Sequence, residues 1–114
     1  MVVYITKTFD TLLEKGFSNY FINREKLSKE LKRSFNDTTY LKRPIMKFKV
    51  KINSVSYRIV WIVKWDTILP ILIYLKKDKK IGDNIIWNKE LEILVNHYAQ
   101  KMEYDIKTQA YSIY

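Results

Sequence analysis

Residues 47–65, KFKVKINSVSYRIVWIVKW, open with strict alternation. Successive side chains of a strand point to opposite faces, so Phe48, Val50 and Ile52 share one face and Lys47, Lys49 and Lys51 the other. A helix would scatter both sets around its circumference, and the pattern therefore restricts this stretch to strand. NSVS, residues 53–56, supplies turn-forming Asn and Ser for a hairpin. Tyr57 to Lys64 and Ile68 to Leu75 are β-branched and aromatic runs, nearly apolar on both faces, as strands inside a sheet must be. Pro70 cannot donate to a ladder, so a bulge or a locally unpaired position is expected there.

The remaining chain reads as strand and helix around this meander. VVYITKTF alternates as a first strand, Val2 to Phe9, after which Asp10 or Thr11 can cap a helix by accepting from its free first-turn N–H groups. Leu12, Leu13, Phe17, Tyr20 and Phe21 follow at helical spacing. Asn23 is a second cap, and Leu27, Leu31 and Phe35 then repeat every four residues beside a basic face of Lys26, Lys29, Lys32 and Arg33. Asn36, Asp37 and Pro44 end the helical region. Asn88 caps a last helix with Glu90 and Glu92 in its first turn and an apolar stripe of Leu91, Leu94, Val95, Tyr98 and Met102. Residues 105–114 fit no one element.

The expected order is β-α-α-β-β-β-α, an α+β fold with an antiparallel sheet of about four strands. Two N-terminal helices pack on that sheet, and a C-terminal helix follows. At 114 residues, with no repeat or linker, the expectation is a single domain over residues 1–114 with one core.

Several chemistries are excluded. The chain has no cysteine, and His97 is its one histidine, so thiolate chemistry, paired-histidine catalysis and Cys- or His-rich metal sites all fall away. Gly16 and Gly82 are the only glycines, too few for a phosphate-cradling loop. Asp37, Asp66, Asp78 and Asp83 fall in turns, where Asp satisfies backbone donors. No metal and no small-molecule cofactor are expected. The N-terminal residues lack a basic segment followed by a long apolar one, and Ile59 to Leu75 is broken by Lys64, Asp66 and Pro70. A cytoplasmic protein that does not engage membrane is the expectation.

What remains is cationic. The net charge is +9, a field that draws in polyanions. From Lys42 to Lys64 the charged residues are Lys42, Arg43, Lys47, Lys49, Lys51, Arg58 and Lys64, with no acid among them. A second cluster, Lys76, Lys77, Lys79 and Lys80, follows the last strand of the meander. A lysine comb can simply protect an edge strand from aggregation. Arg58 is different: its same-face neighbours are Val60 and Ile62, so its charge begins beside apolar surface and needs solvent or an anion. Tyr57, Trp61 and Trp65 could stack on bases; for the first two, core packing is the competing role, and Trp65 stands at a strand end.

The run FKVKINSVSYRIVWIVKWDTILPILIYLKK, residues 48–77, resembles the core of the RelE/ParE superfamily of bacterial and archaeal toxins. It repeats their order of strand basic residues, hairpin, Tyr-Arg pair, apolar strand and basic end, over about a quarter of the chain. In the RelE branch the resemblance implies a type II toxin that cuts mRNA in the ribosomal A site. It implies catalytic roles for Lys49, Lys51, Arg58 and Lys77. RNA contacts would then come from Lys47, Lys76, Lys79, Lys80 and Trp65. Its partners would be mRNA, the rRNA of the ribosome and a cognate antitoxin protein. Ser56 stands where the family has glycine, Leu75 where glycine often precedes the basic pair and Lys77 where the family has arginine; the C-terminal tyrosine of some members has no clear equivalent, and Trp87 lies closest to it in register.

Two other readings use the same residues. A ParE-like toxin would inhibit DNA gyrase and cut no RNA. A passive RNA- or ribosome-binding module would use the charge for affinity alone, with steep salt dependence. The basic face at Lys26, Lys29, Lys32 and Arg33 could meet rRNA or an antitoxin, or be solvated surface.

Overall fold

The computed structural model describes residues 1–35, 39–77 and 85–114. Strand β1 is Val2–Thr6, and helix α1, Lys7–Gly16, follows without a break. A 3-10 turn, Ser18–Tyr20, leads to helix α2, Arg24–Arg33. Strands β2 (Thr39–Lys42), β3 (Ile45–Ile52), β4 (Val55–Lys64) and β5 (Thr67–Leu75) come next. Helix α3, Lys89–Lys107, and strand β6, Tyr111–Ile113, complete the chain. Among the described residues, these six strands form one sheet in the order β2-β3-β4-β5-β1-β6.

The fold is α+β, but the sheet is mixed and larger than the sequence pattern indicated. β1 lies parallel to β5, and all other pairings are antiparallel. Two strands were not foreseen. β2 is a short partner for β3, and β6 pairs with β1, where Tyr4 and Tyr111 stack with ring centroids 4.7 Å apart.

The first helix also begins earlier than the alternation suggests. Thr6, not Asp10 or Thr11, is its cap, accepting from the Phe9 N–H at 3.2 Å. The deciding interaction comes from the far end of the chain. Asp105 Oδ2 on α3 accepts from the Thr8 N–H at 2.8 Å and the Thr8 hydroxyl at 2.6 Å. A carboxylate at a helix N-terminus satisfies free donors and opposes the positive end of the dipole. Asn23 and Asn88 cap α2 and α3 by accepting from Lys26 N and Leu91 N.

The meander follows the sequence pattern closely. Asn53 and Ser54 make the two-residue β3–β4 turn, both at positive φ (52° and 67°), which matches the twist of a tight hairpin. Near Pro70 the register shifts. Val60 pairs with Leu72 and Trp61 with Pro70, leaving Ile71 as the extra residue of a bulge.

The core gathers Phe9, Leu13, Leu27 and Leu31 from the helices against Val3, Phe48, Ile59 and Trp61 from the sheet. Phe48 stacks on Trp61 at 4.9 Å. Among the described residues, no helix is long and apolar enough to cross a membrane.

Candidate nucleic-acid interface

Register decides which cations can act together. Residues directly opposite in neighbouring strands share a face, with Cβ atoms roughly 4.5–5.5 Å apart. Lys49 pairs with Arg58, and Arg58 pairs in turn with Tyr74. One rank along, Lys51 pairs with Ser56, whose carbonyl accepts from the Lys76 N–H at 3.0 Å and so carries the ladder one residue past β5. Lys49, Lys51, Arg58 and Lys76 therefore fall on one face in two adjacent ranks, roughly 7 Å apart along the strands and roughly 10 Å across three of them.

The tight Asn53–Ser54 turn fixes this geometry, because a one-residue slip in β3 would carry its lysines to the opposite face. Tyr57, between Ser56 and Arg58, points to the other face. It is 1% exposed and packs edge-on to Phe17 and Tyr20. Burial, and after it the neighbouring Tyr20, pushes the Tyr57 phenol above its ordinary value. Trp61 is fully buried. Neither aromatic is available to stack on a base.

Lys49, Lys51, Lys76 and Lys77 are exposed, and Arg58 is half-buried. Among the described residues, no ion pair involves any of those four lysines. The acidic partners sit on helices: Asp10 with Arg24, Glu30 with Arg33, Glu92 with Lys89 and Glu103 with Lys107. Strands β3 and β4 contain no acid, so the segregation of charge seen in the sequence becomes one cationic face.

Other residues singled out from the sequence stand apart. Lys47 shares the face, but its ammonium donates to the Ile85 carbonyl at 2.7 Å, tying the segment before α3 to β3. Lys77 lies one residue past the rank of Lys51 and lines a recess at the end of the sheet with Tyr20 and Ser54. Trp65 is 87% exposed in the β4–β5 turn. It is seven residues from Arg58, roughly 23 Å at strand rise, and belongs to no common site with it. Lys79 and Lys80, with Asn36, Asp37, Asp78 and Asp83, lie outside the described residues.

His97 is exposed, and its ring meets Tyr98 edge-on. Trp87 takes the Lys42 ammonium at 6.0 Å from its ring centre. On the basic face of α2, Lys26 donates to Asn53 Oδ1 at 3.3 Å and Arg33 pairs with Glu30. No group of acidic or histidine side chains suited to a metal occurs among the described residues. Two features escaped the sequence pattern, the Asp105 anchor of α1 and the recess beside Tyr20. Each joins residues far apart in the chain, and no local signal marks either.

In phosphate chemistry, such a face can neutralise charge on one or two adjacent phosphates of a strand lying across β3, β4 and β5. No protein-family model matches the chain, and neither a curated protein nor a solved structure matches it.

Proposed function

We propose that the chain is a RelE-like toxin, an endoribonuclease that cuts mRNA presented by the ribosome in the cytoplasm and is held in check by a cognate antitoxin protein. The observation that carries this reading is the register that sets Lys49 opposite Arg58, with Lys51 and Lys76 on the same face. The likeness of residues 48–77 to the RelE core supplies the reaction.

In that reaction the 2′-oxygen of a ribose attacks the adjacent phosphorus. A new P–O bond forms as the P–O5′ bond breaks, leaving a 2′,3′-cyclic phosphate and a 5′-hydroxyl. The side-chain amine of Lys51 or Lys49 takes the 2′-proton as general base. A protonated group on the same face returns a proton to the departing oxygen. Arg58 and Lys76 bear on the charge developing at the phosphoryl oxygens, and Lys77 reaches the strand where it leaves the sheet.

The test is mRNA cleavage on ribosomes. Lys51→Ala and Arg58→Ala should each slow cleavage on the order of 10²-fold or more. Variants that cut as fast as wild type remove the mechanism, and a plasmid-linking activity on purified gyrase in their place would favour the ParE-like alternative.

A non-catalytic RNA-binding module is the second reading. It is favoured by the lack of a clear equivalent of the family tyrosine, the nearest residue in register, Trp87, having no phenolic proton, and by Lys77, a point charge in place of an arginine fork. Ribosome binding without new mRNA ends identifies it.

A further inference from the structure

The recess at the end of the sheet has the chemistry of a nucleotide pocket. It is open to solvent, has a volume of about 460 Å³ and is bordered by Tyr20, Ser54, Ser56, Leu75, Lys76 and Lys77. Two of these residues, Ser56 and Lys76, also form the outer rank of the cationic face, so the recess opens where that face ends. We propose that it holds the base of a single-stranded RNA nucleotide whose phosphate lies on Lys51 and Lys76. The proposal rests on the reading of the Lys49–Arg58 face as an RNA-binding surface.

Each part of a nucleotide finds a counterpart. Tyr20 offers an aromatic wall and is braced by Phe17 and Tyr57, with ring centroids at 6.1 and 6.3 Å. Leu75 supplies apolar floor, against which a base can shed water. The hydroxyls of Ser54 and Ser56 can each donate or accept, as the edge of a base requires. Lys76 and Lys77 stand at the rim for the phosphate.

The hairpin turn supplies one border of the recess. Ser54 sits at φ 67°, a conformation in which glycine carries no steric penalty. The chain holds a strained serine there, and that serine lines the recess. The hairpin tip is also tethered, because Lys26 donates to Asn53 beside it.

The experiment compares 2′-O-methyl pentamers of adenosine and uridine with a length-matched abasic ribose-phosphate strand, by fluorescence anisotropy on the full chain. The 2′-O-methyl group blocks cleavage during the measurement. At least one base-bearing strand should bind on the order of tenfold more tightly than the abasic strand. Tyr20→Leu and Ser54→Gly should each shrink that gap and leave abasic affinity unchanged, and Ser54→Gly should melt at or above the wild-type temperature. Should Tyr20→Leu fail to fold, Ser54→Gly and the wild-type comparison decide the matter. Equal binding of base-bearing and abasic strands by wild type, or a gap that survives in the folded variants, overturns the pocket. Failure of the underlying reading looks different: Lys49→Ala/Arg58→Ala would then leave abasic affinity unchanged.

Discussion

Salt dependence tests whether the two ranks of cations meet RNA phosphates. Lys49, Lys51, Arg58 and Lys76 share the face. If the two ranks neutralise two adjacent phosphates of a single strand, the log–log dependence of affinity on salt has a slope of roughly −0.7 per phosphate, about −1.4 in all. Raising salt from about 50 to about 200 mM then weakens binding roughly 7-fold. Removing Lys49 and Arg58, the directly opposed pair, halves the slope to about −0.7 and cuts the loss to roughly 3-fold.

The control is Lys29→Ala/Lys32→Ala, which removes the same net charge from exposed positions on α2. Anisotropy titrations of a labelled single-stranded oligonucleotide at four salt concentrations give both slopes. The helix variant should keep the wild-type slope. Equal slopes for the two double variants would mean that net charge alone draws the RNA, and the register would have no bearing on binding.

Asp105→Ala removes the acceptor for two Thr8 donors, and with bonds to a charged group contributing roughly 1.5–3 kcal/mol it should destabilise the fold by about 3 kcal/mol. Thermal melting should show a drop on the order of 10 °C, while Asp105→Asn, which keeps an acceptor, should lose less. The raised Tyr57 pKa makes stability pH-dependent: the folded state holds the phenolic proton more tightly than the unfolded chain, whose value is near 10.0. Its contribution is present below pH 10 and is lost as pH rises from there through the raised folded value. Denaturant melts should therefore show wild type losing stability relative to Tyr57→Phe over that window. Trp65→Ala should leave both melting temperature and RNA affinity unchanged, because the side chain is exposed in a turn remote from Arg58; a loss of affinity would move the interface.

The meander was legible because its signals are local. Alternation at 47–52 and the Asn-Ser turn fix which side chains share a face, and the apolar character of both faces of β4 and β5 announces interior strands. Asn23 and Asn88 also act within four residues of themselves. The boundary between β1 and α1 depends instead on Asp105, 97 residues from Thr8, and alternation alone carried the expected strand through Phe9. β6 has only three residues, two of them exposed, and gains its conformation from the edge of β1. The cationic face was visible as charge. Its division into Lys49, Lys51, Arg58 and Lys76 on one side, Lys47 tied to a carbonyl and Lys77 in the recess required the pairing of strands.

The pairing of β1 with β6 gives the molecule a seam between two strands far apart in the sequence. During vectorial synthesis, β3, β4 and β5 can zip together from neighbouring sequence while β1 still lacks its outer companion. Until residues 111–114 leave the exit tunnel, the polar backbone of Val3 and Ile5 remains open to any passing extended segment. The reciprocal bonds between Val3 and Tyr114 then work as a latch that closes this edge of β1.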